Sequence, residues 1–110
     1  MKALSSEVTA KIIRRLLEDV ILKVPMLSIY TIWERRNPKS GEILGMLVYR
    51  AQPHDNTTPV VVWIDTNHEG KLCLSTSYRT TAGVVAESFG ATEEEIARMG
   101  KKFLAALQSS

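Results

Sequence analysis

The sequence predicts an α+β fold: a two-layer sandwich in which a four-stranded antiparallel meander sheet carries its helices on one face, in the order α-β-β-β-β-α-α. Three observations lead there. An apolar stripe at helical spacing opens the chain, four segments with a period of two follow, and two helix-capping patterns close it. At 110 residues the chain fits one domain, residues 1–110, long enough for a real core.

Ser5 or Ser6 can cap a first helix running to about Val24, where Pro25 stops it. Val8, Ile12, Leu16, Val20 and Val24 recur at i+4, with Ile13, Leu17 and Ile21 beside them. Lys11, Arg14 and Arg15 interleave with Glu7, Glu18 and Asp19 at i,i+4, so they form a solvated face. The strands are Ser28–Arg35, Ile43–Arg50, Val60–Thr66 and Lys71–Tyr78. Their connections are rich in Asn, Pro, Gly and Ser, and short connections favour a meander. Thr80 or Thr81 then caps a short helix ending at Phe89, with Gly90 after it. Thr92-Glu93-Glu94-Glu95 is a capping box that opens the last helix, which buries Ile96, Met99, Phe103 and Leu107.

Side chains alternate between the two faces of a strand. One parity is aliphatic: Ile32; Leu44, Met46, Val48; Val60, Val62, Ile64; Leu72, Leu74. The other carries Thr31, Trp33, Arg35; Gly45, Leu47, Tyr49; Val61, Trp63, Asp65; Lys71, Cys73, Ser75. The aliphatic set belongs under the helices. An open antiparallel face is normally polar, so rings beside cations on this one describe a contact surface. Simple hairpin closures place Trp33 opposite Gly45, Ile29 opposite Tyr49, Leu47 opposite Trp63, Gly45 opposite Asp65, Asp65 opposite Lys71 and Trp63 opposite Cys73. The expectation is a groove walled by Trp33 and Trp63 and floored by Gly45, because strand glycine often marks close approach of a ligand.

The ligand chemistry that fits such a groove is base stacking, with rim cations (Arg35, Arg36, Lys39, Arg50, Lys71 and Arg79) meeting phosphates. The net charge of +2 is mild, so the position of the cations matters more than their number. Nothing in the sequence supplies a catalytic set. His54 and His68 lie in loops, Cys73 has no base beside it, and there is no phosphate-binding glycine loop and no metal-ligand spacing. The expectation is a non-enzyme without a cofactor or metal. A single cysteine excludes an internal disulfide framework, and no apolar run could cross a bilayer. Lys11, Arg14 and Arg15 interrupt any signal-peptide core, so a cytoplasmic protein is expected, without a membrane partner.

One helix, four meandering strands and two helices, with aromatics on the strands, resemble the ThermoDBP-related single-stranded DNA-binding proteins of hyperthermophilic archaea. The likeness is one of layout, from Ser5 to Leu107. It implies a cleft lined by Trp33, Tyr49 and Trp63, with Arg35, Arg50 and Lys71 at its edges. The group's namesake has an extended coiled-coil dimerisation helix, whereas the final helix here stops at about Gln108 without sustained heptads. Together these readings give a binder of single-stranded DNA, or RNA, acting as a homodimer through Trp33, Tyr49, Trp63, Gly45, Leu47, Arg35, Arg50 and Lys71. The alternative is a protein-interaction or dimerisation module that uses the same aromatic face.

Overall fold

The computed structural model describes residues 4–24, 30–52 and 55–108. The elements are α1 (Ser6–Leu22), β1 (Tyr30–Arg36), β2 (Ile43–Gln52), β3 (Asp55–Thr66), β4 (Leu72–Thr80), β5 (Gly83–Gly90) and α2 (Glu93–Gln108). The strands form one antiparallel sheet in the order β1-β2-β3-β4-β5. The fold is thus α+β with helices on one face, but the described residues form five strands and two helices. Pro25, Ser28, Ile29 and His54 lie outside the described residues.

The element that sequence patterning misassigns is β5. The Thr80 hydroxyl does not cap a helix. It donates to the Gly83 carbonyl at 2.9 Å and accepts from the Ala82 amide at 3.2 Å, closing a tight turn. Gly83, with φ of 124°, takes a backbone conformation that other residues rarely adopt. The caps of the two helices follow the sequence. Ser5 accepts from the Val8 amide at 3.3 Å, and Thr92 accepts from the Glu95 amide at 3.2 Å.

The core lies between the sheet and both helices. Ile13 and Leu17 of α1 and Ile96, Met99 and Phe103 of α2 meet Met46, Val48, Val60, Val62, Leu74 and Phe89 of the sheet, all essentially fully buried. The deepest line of α1 is Thr9, Ile13, Leu17 and Val20, one position around from the expected i+4 set, and Val8 of that set is exposed. The two helices touch at Gly100, where an added Cβ would sit 2.7 Å from Leu16 Cδ1. Because they pack on each other and on the same side of the sheet, no described helix covers the other side.

Charged residues are built into the helix-facing side as well, and Glu87 is the most heavily bonded of those described. Glu87 of β5 accepts from the Tyr78 hydroxyl at 2.7 Å, from Lys102 Nζ at 2.9 and 3.1 Å, and from Arg98 Nη1 at 3.1 Å. Arg98 also donates to Glu95 at 2.8 Å and lies 4.5 Å from the Phe89 ring centroid. These bonds tie α2 to the edge of the sheet. The Tyr78 hydroxyl, followed by the Lys102 ammonium, holds the Glu87 carboxyl at about 2, below its ordinary 4.5. Burial raises the Tyr78 hydroxyl pKa in turn, and Glu87 adds to that rise.

A carboxyl depressed in the folded state binds its proton later than it does in the unfolded chain. The stability it contributes is therefore complete above about 4.5 and fades as pH falls towards about 2. Glu95, also held low by Arg98, acts in the same direction. Urea midpoints measured across this range should fall less steeply in Glu87→Gln than in the wild type, with a residual slope from Glu95. Identical slopes in the two proteins would exclude the clamp as the source of acid sensitivity.

Candidate nucleic-acid interface

The residues facing away from the helices make a surface with two distinct halves. Ladder pairing aligns Trp33, Leu47, Val61, Ser77 and Ala86 in one row across the five strands, and Arg35, Gly45, Trp63, Ser75 and Ser88 in the next. Rings and aliphatics thus occupy β1 to β3, while small and hydroxyl side chains occupy β4 and β5. Trp33 is 47% and Trp63 37% exposed, whereas Leu47, Val61 and Tyr49 are half-buried. The indoles stand on alternate strands with Leu47 and Val61 between them, forming a strip of apolar surface bounded by a low floor of serines.

Every hairpin register differs from the simple closure by two residues; the first and third do so through their turns, and the ladder of the second steps between Val48 and Arg50. Gly41 (φ 76°) and Gly70 (φ 78°) end wider turns, in which Asn37 and Asn67 side chains accept main-chain amides at 2.9 Å from Lys39 and Glu69. A shift of two keeps every residue on its face but changes its neighbours. Trp33 opposes Leu47 rather than Gly45, and Thr31 takes the place opposite Tyr49. Gly45 opposes Arg35 and Trp63 rather than Trp33 and Asp65, and Asp65 opposes Cys73 rather than Lys71. The polar connection expected between Gln52 and Pro59 is mostly strand, since Gln52 already pairs with Asp55.

Gly45 therefore serves a different purpose from an open floor. Its missing side chain makes room for Trp63: an added Cβ would run into Cε3 of that indole and lie 2.7 Å from the Val62 carbonyl oxygen. Arg35 then sits with its guanidinium carbon 5.6 Å from the centroid of the Trp63 ring. The indole is thus fixed between bare backbone and a cation, leaving part of its surface open.

The expected edge cations separate into different environments. Arg35 and Arg79 are exposed on the open face. Lys71 is exposed in the turn before β4, 3.8 Å from Glu69. Arg50 pairs with Tyr30, a buried helix-side residue, so it belongs to the opposite face from Tyr49. Arg36 follows a bulge and turns to Glu34 at 2.8 Å and the Gly41 carbonyl at 2.9 Å. What the sequence reading missed is the β5 share of this surface: Val84, Ala86 and Ser88. The alternation of Val85 and Phe89 with small residues was the available signal.

A cleft of about 850 Å³ lies on the helix side, between α1 and the β1–β2 hairpin. Three of its cations are already engaged, Arg14 with Glu18 and Glu34, both at 3.1 Å, Arg36 with Glu34, and Lys11 with Glu7 at 3.6 Å. It holds no exposed ring. Among the described residues no three His, Cys, Asp or Glu side chains gather to hold a metal ion, and no helix is long and apolar enough to cross a membrane. Compared with known protein families, curated proteins and solved structures, the chain matches none.

Gly45→Ala should push the Trp63 indole off the sheet, at a cost of roughly 1–3 kcal/mol typical of overpacking. With only two tryptophans in the chain, the emission maximum should move to longer wavelength. An unaltered spectrum and thermal midpoint would refute the seating of the ring on Gly45.

Proposed function

We propose that the protein binds single-stranded nucleic acid on the helix-free face of its sheet, with bases stacked on Trp33 and Trp63. The observation that carries this reading is the exposure of both indoles on alternate strands, beside Leu47, Val61 and Tyr49, where no described helix roofs them. Every base has a π-face, so stacking is tolerant of sequence, and each stack contributes roughly 1–3 kcal/mol. Arg35 supports the reading in two ways: it braces Trp63 and leaves an exposed cation at the edge of the strip for a phosphate. Arg79 and Lys71 add positive charge at the border of the serine floor. Ser75, Ser77 and Ser88 offer hydroxyls that donate to and accept from base edges, and their small size leaves space for a base beside the rings.

With few rim cations, the affinity depends on stacking more than on phosphate neutralisation, and its dependence on salt is shallow. DNA and RNA are both admitted, because the proposed contacts are to base faces and phosphates.

Titration with oligo-dT should quench the intrinsic tryptophan fluorescence. Trp33→Ala and Trp63→Ala should each weaken binding by roughly 1–3 kcal/mol while leaving the fold intact, as judged by circular dichroism. Arg35→Ala should lower the slope of affinity against salt. A silent titration, or wild-type affinity in both tryptophan variants, would reject stacking; emission that instead depends on protein concentration would favour a face that docks another protein.

A further inference from the structure

The two outer strands of the sheet are guarded very differently. β1 carries Glu34, Arg35 and Arg36 in its last three positions and bulges between the two arginines. Charges and bulges of this kind keep an edge from pairing with another chain. β5 has neither a bulge nor an outward charge. Its ladder with β4 runs unbroken from Cys73↔Gly90 to Thr80↔Gly83, and its sequence contains no proline, lysine or arginine. Its one charge, Glu87, faces the helices and is bonded by Tyr78, Arg98 and Lys102 of its own chain. Among the described residues no strand flanks its outer side, and Val84, on the open face of this edge strand, is 65% exposed.

We propose that β5 pairs antiparallel with β5 of a second copy, about a two-fold axis perpendicular to the sheet, giving one continuous sheet with both open faces on the same side. The strand itself selects the register. Opposed residues in an antiparallel pair share a face, so a residue can only oppose another of its own parity. An axis at Glu87 would set two carboxylates against each other. An axis at Val85 would leave the last three residues of β5 beyond the partner strand. An axis at Ala86 avoids both faults: Val84 faces Ser88 of the second copy, and Val85 faces Glu87, whose carboxylate is already held by α2. This self-complementarity is what favours a second copy over an unrelated strand as the occupant.

Light scattering and sedimentation on the full chain, without nucleic acid, test the proposal independently of what the open face binds. The wild type should show twice the 12.3 kDa chain mass at micromolar concentrations. V84E/S88E places like charges opposite each other twice and should weaken association on the order of tenfold or more. V84E/S88K places opposite charges there and should restore the dimer, with unchanged circular dichroism in both variants. A wild type that stays at single-chain mass would overturn the proposal, as would a dimeric V84E/S88E or a monomeric V84E/S88K. So would a dimer that V84E/S88E leaves intact and Trp33→Ala dissolves, which would move the interface to the aromatic face.

Discussion

The constraint on which everything else depends is that both helices close on the same side of the sheet. Gly100 lets α2 approach Leu16 of α1, and the stripes of the two helices share one core with Met46, Val48, Val60 and Val62. Each strand must then supply one set of side chains to a dry layer and another to water. A sheet of this kind is free to carry polar residues on its wet side. This one carries two indoles, a phenol, a leucine and a valine. A buried aromatic removes about 150–250 Å² from water, and at roughly 25 cal/mol per Å² a half-exposed indole leaves on the order of 2–3 kcal/mol of burial unrealised. The core is complete without these rings, so packing does not explain them. The proposed stacking surface would.

Glu87 shows how a residue needed for tertiary packing can hide an element from local reading. A strand is recognised by alternation, and the run Val85, Glu87, Phe89 breaks the apolar side of the pattern at its centre. The break is harmless in the folded protein because Lys102 and Arg98, from the next helix, complete the carboxylate's bonding. Nothing near Glu87 in sequence announces this. Two threonines before an apolar stretch look like a helix cap for the same reason, although the Thr80 hydroxyl closes a turn with Gly83. The six other elements were legible because each closes its pattern locally, through Ser5 and Thr92 at helix starts or through a largely apolar parity.

The candidate site was legible in one sense and not in another. Which face holds Trp33, Tyr49 and Trp63 depends only on parity, and a hairpin that slips by two preserves parity. Which side chains touch depends on register, which the left-handed glycines Gly41 and Gly70 and their asparagine-bonded turns set in the first and third hairpins, while the β2–β3 ladder steps between Val48 and Arg50. Hence the rings were found, but the partner of Gly45 was not: the glycine seats Trp63 itself, and Arg35, not Trp33, stands on its other side. Arg50 was lost to the helix side by the same parity rule that Trp33 obeys, since it lies one residue beyond Tyr49.

The two halves of the open face bear on how a second copy would matter for binding. Joined through β5, the serine-bearing halves of two sheets become one broad floor, and the ring-bearing strips lie at its two margins. Strands sit roughly 4.8 Å apart, so the five steps from β3 to its symmetry mate set the two Trp63-bearing strands about 24 Å apart. A nucleic-acid strand has a direction, and a two-fold axis reverses it. The two strips would therefore present themselves in opposite senses, and one continuous strand could meet both in the same way only by turning back on itself. Two separate strands, one per copy and antiparallel to each other, satisfy the symmetry without that reversal. The floor between them is low and carries the hydroxyls of Ser75, Ser77 and Ser88 rather than rings. It would keep two such strands apart.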